Sequence, residues 1–128
     1  MIAIIGGAYQ GKLDYAMERF GLAEGDVYRC GGAGTAMPEG KICYEIDQWI
    51  LALIQDGQER SDIDEAVEGF LESYPEAIVI CNDIFCGVVP IDPVLRAWRE
   101  AVGRGMVMLN KQAMEVVRVF CGIPTRLK

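Results

Sequence analysis

The sequence of 128 residues contains no histidine. This absence excludes histidine general bases, Ser-His catalytic triads and covalent intermediates on a histidine side chain. No apolar run approaches the roughly 20 residues that a membrane-spanning helix needs, so we expect no membrane partner. The opening stretch MIAIIGG has no basic segment, and we therefore expect no secretory signal.

Paired cysteines are also lacking. The five cysteines are scattered and include no CxxC pair, which is typical of a reducing compartment and predicts a cytoplasmic protein. Four of them lie in apolar stretches that resemble strands, where a free thiol behaves as a small hydrophobic group. A metal site at Cys81 and Cys86 is the less favoured alternative, because the usual ligand spacing is missing.

The charge is negative overall and unevenly distributed. Residues 1–91 carry 16 acidic and 5 basic side chains, whereas residues 92–128 carry 3 acidic and 7 basic ones. The acidic balance argues against nucleic-acid binding. The basic end of the chain is compatible with an anionic ligand, with an acidic neighbouring subunit, or with a solvated helix face.

Strand and helix patterns alternate along the chain. Apolar runs predict strands at residues 1–5, 27–30, 77–81 and 116–121, with a weaker apolar stretch at 42–44. Amphipathic spacing predicts helices over residues 11–20 and 46–55, a third with Ser61 as its N-cap, and a fourth that begins at Asp92-Pro93 and is weakened locally by Gly103 and Gly105. This alternation predicts a single α/β domain over residues 1–128 with a mainly parallel sheet.

A glycine-rich loop lies between the first predicted strand and helix. Residues 6–12, GGAYQGK, have the spacing G-x-x-x-x-G-K of a phosphate-binding loop. In such loops, backbone N–H groups surround the phosphates and the lysine contacts the outer ones. The alternative is a plain glycine turn with Lys12 in solvent. Leu13 stands where a Ser or Thr hydroxyl normally binds Mg²⁺.

Acidic residues follow two of the predicted strands. Asp83 follows the strongest strand, while Glu45 and Asp47 follow the weaker stretch at 42–44. Each is a candidate to hold Mg²⁺ through water at the strand ends, or alternatively an exposed or capping acid. Asp14 is a poor replacement for the missing hydroxyl, because one residue along a helix turns about 100° away.

Three segments resemble the adenosylcobinamide kinase / adenosylcobinamide-phosphate guanylyltransferase family. Residues 79–103, VICNDIFCGVVPIDPVLRAWREAVG, resemble the family stretch V-V-x-N-E-V-G-x-G-I-V-P-x-N-P-x-x-R-x-F-R-D-x-x-G without a gap. The opening IIGGAYQGK is similar to the family loop G-G-A-x-S-G-K, and the end VVRVFCGIPTRLK is similar to its closing strand and G-I-P-x-x-L-K terminus. Trp49 resembles a family tryptophan with a shifted acidic neighbour.

The resemblance implies a three-layer, P-loop NTPase-like α/β fold, commonly assembled as a trimer, that binds GTP or ATP with Mg²⁺. Family members phosphorylate adenosylcobinamide and then transfer GMP through a guanylylated histidine, in cobalamin assembly in the bacterial cytoplasm. Gly6, Gly7, Gly11 and Lys12 carry over as phosphate contacts, Ala8 also matches, and Asn82 and Asp83 form the end of the strand that faces the site. Together with the position of Glu45 after residues 42–44, this predicts nucleotide contacts at Gly6, Gly7, Ala8, Gly11, Lys12, Leu13 and Asn82, catalytic residues Lys12 and Asp83, and metal ligands Asp83 and Glu45.

The departures from the family pattern limit what can be carried over. No histidine is available to carry GMP, and the stretch where the family has one is shortened to the glycine-rich loop 31–41. Leu13 puts the kinase step in doubt. The sequence is thus compatible with a divergent kinase, with a noncatalytic relative that binds nucleotide or corrinoid, or with an interaction module independent of nucleotide.

Overall fold

Strands and helices alternate along the chain in the computed structural model, which describes residues 1–128. The strands are β1 (Ile2–Gly6), β2 (Val27–Arg29), β3 (Ile42–Tyr44), β4 (Ile78–Asn82), β5 (Glu115–Phe120) and β6 (Ile123–Arg126). The helices are α1 (Lys12–Phe20), α2 (Ile46–Gln55), α3 (Arg60–Ser73) and α4 (Pro93–Gln112). A short 3₁₀ turn covers Glu24–Asp26.

All six strands belong to one sheet in the order β2-β3-β4-β1-β5-β6. The first five strands run parallel, and only β6 pairs antiparallel with its neighbour. The carboxyl ends of β1, β3 and β4 therefore meet at one edge, where Gly6 lies beside Asn82 and Tyr44 beside Ile80. The predicted mainly parallel α/β architecture is confirmed, and this edge is where ligands bind in such sheets.

Helices cover both faces of the sheet and make three layers. On one face, Ala16 of α1 is buried among sheet residues such as Ile4, Ile80 and Val117. On the other face, α2, α3 and α4 form a larger core that includes Trp49 and Phe70. Strands covered on both faces consist of continuous apolar runs, which is why the runs at 1–5 and 77–81 predicted β1 and β4.

Of the two predicted helix N-caps, the one of α4 is confirmed and the one of α3 is not. Asp92 caps α4 as predicted, since its carboxylate accepts from the backbone N–H groups of Val94 at 2.8 Å and Leu95 at 3.3 Å. The predicted cap at Ser61 is wrong. Helix α3 begins two residues earlier, after Glu59, whose N–H donates to the carboxylate of Asp62 at 3.1 Å.

Helix α4 is continuous through the two glycines that were expected to weaken it. At Gly105, a Cβ atom would lie 3.4 Å from Ile50 and 3.7 Å from Val67. The missing side chain therefore allows α4 to pack closely against α2 and α3.

Strand β6 was not predicted. The apolar run at 116–121 predicted a strand that reaches Cys121, followed by a turn and a charged end. Strand β5 instead ends at Phe120. Cys121 and Gly122 both have positive φ, 49° and 77°, and form a two-residue hairpin turn into β6. Pro124 is tolerated there because β6 is an edge strand. Cys121 is consequently exposed, while Cys30, Cys43 and Cys81 are buried free thiols.

An ion pair fixes the amino end of β5 to α1. Two guanidinium nitrogens of Arg19 donate to the two carboxylate oxygens of Glu115, at 2.6 and 2.8 Å. The hydrogen bond from Arg19 holds the pKa of Glu115 below its ordinary value. A carboxylate with a depressed folded-state pKa stabilises the fold above its unfolded-state pKa and loses that effect as the pH falls.

Glu115→Gln is expected to lower the free energy of unfolding at neutral pH by about 1 kcal/mol, the upper end for a partly exposed pair. The loss should shrink as the pH falls below about 4.5, where glutamate in the unfolded chain takes up its proton. Urea unfolding at a series of pH values measures both effects. A loss that is the same at acid and neutral pH would contradict the role of the ion pair.

Candidate phosphate-binding site and neighbouring cavity

The loop between β1 and α1 is shaped by close contacts of its glycines. A Cβ atom on Gly6 would lie 2.4 Å from the carbonyl oxygen of Val119, so only glycine fits beside β5. Gly11 precedes α1 with φ 88°, a left-handed conformation that favours glycine. Tyr9 also has positive φ, 59°, and its side chain is fully exposed. The loop backbone is therefore wound tightly between the strand and the helix.

The N–H groups of this loop are free. None of the backbone N–H groups of residues 8–14 donates a hydrogen bond, and no side chain caps the first turn of α1. Unpaired N–H groups and the helix dipole make such a helix start an anion site. A cavity of about 340 Å³ lies over it, lined by residues 9–14 and Tyr44. The chemistry of this cavity suits a phosphate group.

Lys12 lies beneath the loop. Its side chain is only 3% exposed, and Nζ donates to the carbonyl oxygen of Gly7 at 2.5 Å. The alternative hypothesis of a solvent-exposed Lys12 is therefore wrong. Burial lowers the pKa of Lys12 below its ordinary value, against the opposing charges of Asp47, Asp83 and Glu45. The structure thus brings one ammonium group and three carboxylates to the carboxyl edge of the sheet.

The three carboxylates differ in their surroundings. Asp47 is completely buried, and its oxygens accept from the backbone N–H of Asn82 at 3.0 Å and from its side-chain amide at 3.3 Å. Asp83 is half-buried, and one of its oxygens faces Gly7 across the loop. Glu45 is half-buried as well and precedes α2 with φ 60°. Asp47 thus joins α2 to the end of β4, and Asp83 and Glu45 make no comparable contact.

The remaining predicted site residues are distributed around this centre. Ala8 is exposed in the loop, and the side-chain amide of Asn82 donates a hydrogen bond to Asp47. Leu13 packs on the apolar core on the α1 face of the sheet, and Asp14 is exposed. No three carboxylates or thiols come together as a ready-made metal site. A magnesium ion bound mainly by water and phosphate oxygens needs only one or two protein carboxylates, and Asp83 and Glu45 fit that requirement.

A larger cavity of about 780 Å³ is lined by Asp83, by one side of α4 and by residues of β5 and the end of the chain. Its apolar lining includes Phe85 of the loop after β4, Met106 and Val107 of α4, and Leu127. Arg104 and Arg118 supply positive charge to its lining. This cavity is large enough for part of an organic molecule, and its lining includes the Asp83 carboxylate, which also faces Gly7 of the loop.

The chain that carries this loop and cavity matches the model of a known protein family. The model of the family described as cobinamide kinase / cobinamide phosphate guanyltransferase matches residues 41–127. The chain belongs to this family. The match includes Glu45, Asp47, Asn82 and Asp83, whereas the phosphate loop lies before it. No curated protein sequence matches the chain.

Family membership confirms the resemblance found in the sequence. It places the chain among the nucleotide-using kinases and transferases of cobalamin biosynthesis. The P-loop-like α/β fold is confirmed as well. None of the helices is both long and apolar enough to span a membrane.

Two features of the site were missed by sequence reasoning. Asp47 was named only as one of several acids, and no signal in the sequence separates it from Glu45, two residues away. The contacts of Gln10 with the β5–β6 turn join residues 111 positions apart. Only the tertiary structure reveals either.

Proposed function

We propose that the chain binds a nucleoside triphosphate, GTP or ATP, at residues 6–13 and transfers its γ-phosphoryl group to a cobinamide-type corrinoid. The single observation that carries this proposal is the row of unpaired N–H groups at residues 8–14 above the buried ammonium group of Lys12. An anion placed there meets a helix start and a cation together. Lys12 and the backbone of Gly7 and Gly11 are the phosphate contacts in this proposal.

The larger cavity supports the acceptor half of the proposal. In this proposal an acceptor in the cavity presents a hydroxyl group to Asp83, which lines the cavity and faces Gly7 of the loop. In the transfer, the hydroxyl oxygen bonds to the γ-phosphorus and the bond to the β-phosphate oxygen breaks. The hydroxyl proton passes to the carboxylate of Asp83, and the nucleoside diphosphate leaves.

In this proposal Asp83 and Glu45 would hold magnesium through bound water, so the Asp83 carboxylate remains able to accept the hydroxyl proton. When bound, the ion neutralises charge on the phosphoryl group that is transferred. The chain's own groups hold the phosphates with amides and Lys12, orient the acceptor along α4, and take up its proton. Guanylyl transfer through a histidine is excluded for this chain, because it has none.

A noncatalytic relative is the second candidate, and Leu13 is the observation that favours it. Its side chain packs on the core below α1 and offers no oxygen to a metal. Binding of phosphate by backbone amides does not need that oxygen. A protein that retained binding and lost catalysis would hold nucleotide or corrinoid as a regulatory or assembly factor.

Calorimetry with GTP and ATP, each with and without Mg²⁺, separates the two candidates when it is combined with a turnover assay. The kinase proposal expects binding that Mg²⁺ strengthens, and release of GDP or ADP when adenosylcobinamide is added. Binding that ignores Mg²⁺, without release, supports the noncatalytic relative. Failure to bind either triphosphate overturns the kinase proposal and limits a noncatalytic relative to corrinoid binding.

The assembly and location of the protein are proposed from the family resemblance and from the state of the cysteines. By family resemblance we propose a homo-oligomer, a trimer, in the cytoplasm, and the three buried free thiols fit a reducing compartment. Sedimentation equilibrium of the purified chain measures the oligomeric state directly.

A further inference from the structure

The phosphate loop is hydrogen-bonded to the β5–β6 turn through a single residue, Gln10. Its side-chain oxygen accepts from the backbone N–H of Cys121 at 2.6 Å, and its carbonyl oxygen accepts from the N–H of Gly122 at 2.9 Å. The neighbouring Gly11 lies so close to this turn that a Cβ atom on it would be 3.5 Å from the Cα atom of Gly122. Two hydrogen bonds and a close backbone approach thus fix the loop to the hairpin.

Only one other contact restrains the loop between its strand and its helix. Lys12 donates to the carbonyl oxygen of Gly7, and no other polar contact involves residues 7–10 apart from those of Gln10. The stem of Gln10 also lies under Gly7, where a Cβ atom would be 3.4 Å from its Cγ atom. The loop is therefore held by an ammonium group at one end and by Gln10 at the other.

These two restraints differ in how they would relate to a bound phosphate. The ammonium group of Lys12 has three donors, so one can stay on the carbonyl oxygen of Gly7 while another meets a phosphate oxygen. Both oxygens of Gln10 accept from N–H groups of the hairpin turn, so Gln10 acts on the loop conformation and not on the phosphate.

The turn that receives Gln10 is itself fixed. Cys121 and Gly122 both have positive φ, as a two-residue hairpin turn requires. This conformation points the two consecutive N–H groups toward Gln10. A rigid partner of this kind fixes the loop before the ligand arrives and lowers the ordering cost of binding.

We propose that Gln10 is a positioning residue, which clamps the phosphate loop to the β5–β6 turn and so presets its free amides for a phosphate group. This inference rests on the proposed nucleotide binding at the same loop. Gln10 does not touch the phosphate in this arrangement. Its side chain acts through the hydrogen bond with Cys121, and its effect is a higher affinity of the loop for the nucleotide.

The test compares wild type, Gln10→Met and the control Gln112→Met at the exposed end of α4. Methionine keeps the length and the stem of glutamine and removes the oxygen that accepts from Cys121. Calorimetry with a nonhydrolysable GTP or ATP analogue is expected to show at least fivefold weaker binding for Gln10→Met. The control should bind as wild type does, and both variants should melt close to wild type.

Amide hydrogen exchange supplies a readout that a merely structural role would not move. In wild type, the analogue should further protect the N–H groups of Cys121 and Gly122, and in Gln10→Met this added protection at Cys121 should disappear. If wild type binds and Gln10→Met binds equally well, the clamp is refuted while the proposed function stands. If wild type binds no triphosphate analogue, the proposed function and the clamp both fall.

Discussion

Asp47→Ala is expected to lower the free energy of unfolding by about 3 kcal/mol, as measured by urea denaturation at neutral pH. The Asp47 carboxylate is completely buried and accepts both the backbone N–H and the side-chain amide of Asn82. Truncation leaves these donors without partners at the end of β4. An unsatisfied buried donor costs about 1–3 kcal/mol, and the emptied volume adds to the loss.

Two companion variants test the cause of this loss. Asp56→Ala makes the same truncation at the exposed end of the same helix and is expected to change stability by less than about 0.5 kcal/mol. Asp47→Asn keeps an acceptor for the Asn82 backbone but turns its NH₂ group toward the Asn82 amide, so an intermediate loss is expected. If Asp47→Ala were as stable as wild type, Asp47 could not be what joins α2 to β4.

Local signals were sufficient for much of the fold. The apolar spacing of Ile46, Trp49, Ile50 and Leu53 gave the bounds of α2 correctly, because one helix face packs on the core. Asp92-Pro93 marked the start of α4, because the capping carboxylate and the fixed φ of proline act within one turn. The glycine spacing located the tight turn between β1 and α1, because such a turn needs positive φ at Gly11.

The division of roles among the acids could not be predicted, because it is decided by tertiary contacts. Glu45 and Asp47 are two residues apart, but Glu45 precedes α2 in a left-handed conformation while Asp47 lies in the first turn and meets β4. Strand β6 was missed because its residues, Ile123–Arg126, are all exposed and include a proline. Pairing with β5 defines this strand, and residue periodicity does not reveal it.

Lys12→Met is expected to weaken binding of a triphosphate at least tenfold, a loss of about 1.4 kcal/mol. The substitution keeps the apolar stem in its buried position and removes the cation that reaches the outer phosphates. The free amides of the loop remain, so weak binding should persist. Lys41→Met is the matched control, since it removes the same charge from an exposed side chain paired only with Asp26 at 3.6 Å. Calorimetry with the Mg²⁺ complex of the triphosphate measures both.

The difference in stability between wild type and Lys12→Met should depend on pH in a way that shows how far the ammonium group is desolvated. Burial lowers the pKa of Lys12 in the folded chain, so between that value and 10.5 the unfolded chain holds the proton more tightly. The stability of wild type that is due to Lys12 therefore falls as the pH drops from 10.5 toward the folded pKa, and it returns as the pH rises toward 10.5. Burial raises the pKa of Cys30, Cys43 and Cys81, so these thiols lower stability at alkaline pH.

The thiols act equally in wild type and in Lys12→Met, so the difference between the two unfolding free energies isolates the lysine. The free energy of unfolding of wild type should rise relative to that of Lys12→Met as the pH approaches about 10, just below the ordinary lysine pKa. A difference that stays constant over the alkaline range would show that the carboxylates of Asp47, Asp83 and Glu45 fully offset the cost of burying the ammonium group. The lowered pKa of Lys12 would then be refuted, while calorimetry with Lys12→Met would still test the phosphate site.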